Sequence, residues 1–270
     1  MRAGIGVRAH FGVACGRTTP RGMALALVSA PMVSRAQTTA PAPVKNVVLV
    51  HGAWADGSSW SNVIPILQAK GLRVVAVQNP LTSFADDVSA TKRIIDAQDG
   101  PVLLVGHSYG GAVITNAGNN PKVVGLVYVA AFAPDNGEAL GGIGKEFSPA
   151  PAMGELRPIA DGFVLLSPQG VTLDFAQDLS TTEKNTMVAI KTPTSGSLFA
   201  SPVTNAAWHS RPSWYVVAAN DRTINPDFER SMADRMKAKT LTVASSQVAM
   251  LSQPQRAADF IASAASAAGK

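Results

Sequence analysis

The stretch Pro101-Val102-Leu103-Leu104-Val105-Gly106-His107-Ser108-Tyr109-Gly110-Gly111 decides the fold. The unbroken apolar run from Val102 to Val105 suits a short strand buried on both faces, and the chain after Tyr109 can continue as a helix to about Gly118. Between the two lies G-x-S-x-G. In that pattern the serine occupies a sharp strand-to-helix turn with strained backbone angles, so glycines flank it to avoid clashes while its Oγ projects beyond the sheet. The next amide and the helix N-terminus give the turn positive potential toward an anion. A match to three fixed residues is common by itself. Its place between a buried strand and a helix is not, and it marks Ser108 as the candidate nucleophile and the Tyr109 N–H as a candidate oxyanion donor.

Outward from this turn, short β-rich runs recur at residues 44–50, 74–77, 123–129, 214–218 and 240–244. Helical stretches separate them at residues 60–70, closed by Gly71, and at 84–98, 226–237 and 254–265. Pro226 and Pro254 open the last two, since proline needs no amide donor in the first turn. Strands alternating with helices imply parallel βαβ units and a mostly parallel α/β sheet covered on both faces. Residues 134–205 break the alternation, being rich in Gly, Pro, Ser and Thr with no strong strand. They read as an inserted cap over the active-site end of the sheet, with a plain surface excursion as the alternative.

The run at 44–50 ends in His51-Gly52-Ala53-Trp54, where the loop after a first strand can supply the other oxyanion amide, here the Ala53 N–H. His51 at a strand end reads as a residue that holds this loop by hydrogen bonds, with a general-base role as the alternative.

With 270 residues, 46% hydrophobic and 15% charged, the chain is long enough for one large core, so residues 44–270 are read as one domain. A formal charge of +5 and a pI near 9.5 would ordinarily raise nucleic acid or anionic membranes as partners. The charge is not spread along the chain. No acidic residue precedes Asp56, and removing Arg2, Arg8, Arg17, Arg21 and Arg35 leaves 18 basic against 18 acidic residues. Segment 1–36 has the order of a secretory signal peptide: an arginine-bearing start, an apolar run at 23–33, and Ser34-Arg35-Ala36 with small residues at the −3 and −1 positions. Cleavage after Ala36, a linker at 37–43 and a periplasmic or secreted location follow from that reading. The apolar run is about half the ~20 residues that a membrane span needs, so no membrane attachment is expected after cleavage. A disordered cytosolic N-terminus is the alternative. The single cysteine, Cys15, lies in the leader, which leaves the mature chain without disulfide or thiolate chemistry. No phosphate loop, dinucleotide fingerprint, basic nucleic-acid stripe or metal-ligand spacing appears, so no cofactor, metal or nucleic-acid partner is implied.

Three stretches together, residues 51–60 (His-Gly-Ala-Trp-Ala-Asp-Gly-Ser-Ser-Trp), 106–111 and 214–226, resemble the α/β-hydrolase superfamily. Within it they are similar to the small-cap branch that includes plant methyl-ester esterases, hydroxynitrile lyases and bacterial esterase-like proteins. The resemblance runs from about Val44 to Ile261 and implies a triad in chain order Ser, Asp, His. Asp221, after the run at 214–218 and just before Pro226, fits the acid that orients and stabilises an imidazole. The family pattern places the histidine in Ser245-Ser246-Gln247-Val248-Ala249-Met250, at the position that Gln247 holds. Glutamine has no titratable nitrogen near neutral pH and can neither take nor return the serine proton. Its amide has the groups to hydrogen-bond both Ser108 and Asp221, which would preserve the geometry without the chemistry.

Three other histidines offer no replacement. His10 leaves with the leader, the side chain of His107 points away from Oγ on such a turn, and His209 has no route to Ser108. The surroundings of Gln247 are intact, which favours a recent or engineered change to a working hydrolase. A natural relative that uses the pocket for binding or for histidine-free chemistry, and a sequence error, are the other accounts. The expected function is therefore hydrolysis of small carboxylic esters, strongly reduced by Gln247. A small-molecule binding protein and a lyase on the same fold stay open. Phe147, Phe163, Leu165, Phe175 and Trp208 either line the pocket or fill the core of the cap.

Overall fold

The computed structural model describes residues 44–269; the leader, the linker at 37–43 and Cys15 lie outside the described residues. The chain runs through β1 (Asn46–Val50), α1 (Ile64–Ala69), β2 (Arg73–Val77), α2 (Phe84–Asp96), β3 (Val102–Ser108), α3 (Gly110–Ala117) and β4 (Val123–Ala131). An insertion follows, with β5 (Leu156–Pro158), β6 (Phe163–Leu166), α4 (Pro168–Gly170), α5 (Thr181–Ile190) and β7 (Thr194–Ser195). The fold is completed by β8 (Ser213–Ala218), α6 (Pro226–Arg235), β9 (Lys239–Val243), α7 (Ala249–Ser252) and α8 (Pro254–Ala268).

Six strands form one parallel sheet in the order β2-β1-β3-β4-β8-β9. Apolar runs account for that order. β1, β3 and β8 are buried along their whole length, as strands covered on both faces must be, whereas β2 and β9, each partly exposed, sit at the two edges. Helices α2 and α3 pack on each other and on β1 and β3, and α8 packs against α1, β3 and β4, so both faces are covered. From β1 the chain steps to β2 on one side and then to β3 on the other. Strand order therefore reverses between β1 and β3, and the crevice beyond their carboxyl ends is where sheets of this kind bind ligands.

The helix expected at residues 60–70 is shorter. Asp56 caps a 3-10 turn at Gly57–Trp60 by accepting from the Ser58 N–H at 2.7 Å, and the α-helix begins only at Ile64, with Pro65 in its first turn. The insertion also differs from its reading as strandless. β5, β6 and β7 form a small antiparallel sheet whose strands span only two to four residues, too short for an alternation to show in the sequence.

The insertion is tied to the loops that follow β1, β2, β8 and β9 at the carboxyl edge of the large sheet. The Trp54 N–H donates to Thr194 Oγ1 at 3.0 Å, and the Ser195 N–H to the Leu81 carbonyl at 2.9 Å. Gln177 Nε2 donates to the Asn220 carbonyl at 2.6 Å, the Ser246 N–H to Asp178 Oδ2 at 2.8 Å, and Arg222 pairs with Asp174 at 2.7 Å.

Candidate active site

Ser108 ends β3 at φ +53°, a left-handed conformation that costs a non-glycine residue of order 1 kcal/mol and persists only where the surroundings impose it. They do so here by close approach. A Cβ on Gly106 would lie 2.6 Å from the Gly110 carbonyl oxygen, and one on Gly52 would lie 2.7 Å from Ser108 Cβ. The end of β1 is thereby pressed against the elbow, which places Ala53 beside Ser108. Among the turn and loop hydrogen bonds of the described residues, neither the Ala53 nor the Tyr109 N–H donates one. Ser108 itself is 3% exposed.

The two buried histidines nearby are both committed. His51 Nε2 accepts from the Asn79 N–H at 2.9 Å, so Nδ1 carries the ring proton and donates it to the Gly52 carbonyl at 2.9 Å. Burial holds its pKa below the usual histidine value. His107 Nε2 donates to the Gln247 carbonyl at 3.1 Å, with the ring set edge-on to Trp60 and Phe175. Its pKa is pushed down to about 3 by desolvation, so it stays neutral. His209 lies apart, stacked on Trp208 and paired with Asp135 at 2.7 Å.

Asp221 stands in the turn between β8 and α6. Its Oδ1 accepts from the N–H groups of Thr223 at 2.6 Å and Ile224 at 3.0 Å, while Oδ2 is buried with no donor. Glu229, on the buried face of α6, sits beside it. Glu229 Oε2 accepts from the Ala218 N–H at 3.0 Å and Oε1 is left without a donor. The charge of Asp221 raises the pKa of Glu229, and neither carboxyl has an ion-pair partner among the described residues, so a proton shared by the pair accounts for both orphan oxygens. Desolvation pushes Asp221 up to about 7 and lifts Glu229 well above the ordinary carboxylate range.

Gln247 is fully buried, but its amide does not act as the sequence implied. Nε2 donates to the Ala130 carbonyl at 3.2 Å and Oε1 has no partner, so neither Ser108 nor Asp221 is bonded to it. The physical reason lies in β4. Ala130 has φ +45° where the β3–β4 register slips, and this turn gives its carbonyl to the Gln247 loop as an acceptor.

A cavity of about 350 Å³ opens beside Trp54, between residues 55–62, helix α5 and Leu251, and one of about 320 Å³ lies beside Phe132, Phe147, Ile224 and Phe228. Of the aromatic residues singled out in the insertion, Phe147 lines the second cavity. Phe175 packs on His107, and Trp208 is buried with its Nε1 bonded to the Pro134 carbonyl, so both belong to the core. Phe163 and Leu165 are half-buried on β6.

Two fully buried acids escaped the sequence reading, Glu229 and Asp87. Each stands in the apolar stripe of its helix. On α6 the buried positions are Phe228, Glu229, Met232 and Ala233, and on α2 they include Phe84, Asp87, Val88, Thr91 and Ile95. An acid at an i, i+3, i+4 core position was the available signal.

Comparison with known proteins agrees with this fold. The alpha/beta hydrolase family model matches residues 47–260. A carbendazim hydrolyzing esterase of Nocardioides sp. (strain SG-4G) is 37% identical over 109 residues, covering 35% of this chain and 45% of that protein, so the match spans less than half of that relative. Methylesterase 8 of Arabidopsis thaliana is 28% identical over 216 residues, covering 70% of this chain and 77% of that protein. Among solved structures, a pyrethroid hydrolase from Sphingobium faniae JZ-2 superposes with a TM-score of 0.71 at 22% identity, over 82% of this chain and 97% of that one. A family match over most of the chain, a six-stranded parallel sheet and a strained serine at its strand-order reversal make this chain a member of the alpha/beta hydrolase family.

Proposed function

We propose that the chain is a serine-nucleophile hydrolase scaffold for small, partly apolar carboxylic esters, with Gln247 standing where the general base belongs. One observation carries this reading: Ser108, at φ +53°, lies at the switch point of the sheet beside two backbone N–H groups, of Ala53 and Tyr109, that have no acceptor. Ser108 Oγ attacks the ester carbonyl, and the developing oxyanion is held by those two amides and the N-terminus of α3. Asp221 is the acid meant to support the base, and its loop meets the Gln247 loop where the Asn220 N–H donates to the Ser245 carbonyl at 3.1 Å. The ester-hydrolysing relatives support the substrate class, and the insertion, tied to four loops at this edge, serves as the cap.

The missing component is a proton acceptor. His51 and His107 are held neutral with their ring protons engaged, and the Gln247 amide is not basic. Loss of the base from such a triad costs about 10⁴ to 10⁶ in kcat, so turnover by this chain is expected to be nearly silent. The arginine-bearing segment 1–36 accords with export to the periplasm or medium.

The test compares p-nitrophenyl acetate hydrolysis by the chain, by Gln247→His, and by Gln247→His with Ser108→Ala. A rise of about four decades on Gln247→His that disappears with Ser108→Ala is expected. Equal, flat rates from folded proteins would reject hydrolysis and favour the second reading, a binding protein on a hydrolase fold. What supports that alternative is the anchoring of Gln247 on Ala130, which leaves the glutamine settled in the core without a catalytic partner.

A further inference from the structure

Asp87 is completely buried on α2, carries no ion pair, and has no part in the proposed chemistry. Both of its oxygens are engaged. Oδ2 accepts from the Tyr109 hydroxyl at 2.7 Å, and Oδ1 accepts from the Leu81 N–H at 2.9 Å. Tyr109 follows the nucleophile, its ring is buried, and it meets Phe84 of α2 edge-on, so the elbow's first helical residue is fastened to α2 at both ring and hydroxyl. Leu81 is held at φ +57° in the turn before α2.

Through Leu81 the contact reaches the insertion. The Leu81 carbonyl accepts from the Ser195 N–H of β7 at 2.9 Å. The preceding residue, Thr194, is buried, and its Oγ1 accepts from the Trp54 N–H at 3.0 Å. Trp54, at φ +56°, follows Ala53 directly. The bonds thus close a circuit: Tyr109, Asp87, Leu81, β7, Trp54. One end carries the Tyr109 amide and the other the Ala53 amide, the two N–H groups that frame Ser108.

We propose that Asp87 is a positioning residue that sets the separation of the two oxyanion-holding amides, by clamping the nucleophile elbow to the turn on which the insertion's β7 and the Trp54 loop are hung. The role assigned to the amides rests on the function proposed above; the clamp itself rests on the hydrogen bonds. A buried carboxylate suits the task because it is acceptor-only and can take a hydroxyl and a backbone N–H at once, each bond strengthened by the charge. Burial, opposed by the Tyr109 and Leu81 bonds and reinforced by the charge of Asp86, lifts its pKa to about 6, so the clamp is charged at neutral pH.

Two readouts test the proposal. The first uses the Gln247→His background, with Ser108 titrated so that rates refer to folded sites. Tyr109→Phe and Thr194→Val, which cut one arm each, should lower kcat by about tenfold with KM within about twofold, and Asp87→Asn should lower it by about a hundredfold, the scale of a misplaced oxyanion donor. The second uses the chain as it stands and needs no activity. Asp87→Asn should speed amide hydrogen exchange at both Trp54 and Ser195, neither of which it touches, at least about tenfold relative to β8. Loss of kcat together with faster exchange supports the clamp. Unchanged exchange at Trp54 and Ser195 overturns it whatever the esterase assay shows. Faster exchange with kcat per titrated site unchanged overturns the link to the oxyanion amides. If Gln247→His is itself inactive, the hydrolase reading fails while the exchange result still decides whether the clamp exists.

Discussion

A carboxyl buried without a cation gives up its proton reluctantly, because the low-dielectric interior cannot solvate the charge, and a second carboxyl beside it adds repulsion. Asp221 and Glu229 meet both conditions. Unfolded, each ionises near about pH 4; folded, Asp221 keeps its proton to about 7 and Glu229 is raised as well. The folded chain therefore binds more protons than the unfolded one across that window. The stability that the pair contributes is complete at acid pH and is lost as pH rises from about 4 through about 7. Glu229→Gln keeps an oxygen for the Ala218 N–H and offers Asp221 an amide donor, which lets Asp221 ionise at lower pH. Urea unfolding of this variant is expected to lose at least about 1 kcal/mol less stability than the parent between pH 5 and pH 8. Parallel pH curves would rule out the shared proton. Gln247 illustrates the limit of reading at this scale. The sequence shows that the residue is not basic, but the acceptor it chooses depends on the turn of Ala130, a backbone detail that no side-chain pattern encodes.

The strand-turn-helix unit around Ser108 works as one element because its backbones nearly touch. A Cβ on Gly111 would run into the Phe132 carbonyl oxygen and lie 2.8 Å from Ala131 Cβ, so β4 and α3 can approach only without a side chain there. Gly111→Ala is expected to destabilise the chain by about 3 kcal/mol, as overpacking of a rigid backbone does, while Gly142→Ala, with nothing within 4 Å, stays within about 0.5 kcal/mol. Denaturation midpoints decide it; similar values for both would mean that the elbow yields easily. This element was also the most legible. Apolar runs located the inner strands β1, β3, β4 and β8, because strands buried on both faces leave no alternation to misread, and G-x-S-x-G located the turn. Helix α5 of the insertion was missed although Ser180-Thr181-Thr182-Glu183 spells a capping box, which the structure forms. None of its residues is buried, so the apolar periodicity that announces α2 is absent there.

Taken as a whole, the molecule is a sheet whose carboxyl edge carries every proposed functional residue and whose insertion is bonded to four loops of that edge, at residues 54, 81, 220, 222 and 246. Bonds of this kind contribute about 1 kcal/mol each, and they stand beside apolar contacts such as Phe175 on His107 and Phe199 on Trp54. Together they join the insertion and the loops into one unit weaker than the sheet beneath. Native-state hydrogen exchange in rising urea should therefore show the amides of β6, of residues 219–223 and of 244–248 converging on a single opening, at a free energy below that of β3 and β4. The sequence did not reveal this coupling, because the bonds join residues far apart in the chain through backbone groups that carry no residue-type signature. If instead the insertion exchanges at low urea while the loops at 219–223 and 244–248 keep the protection of the sheet, it opens as an independent flap, and the geometry around Ser108 is set by the sheet alone.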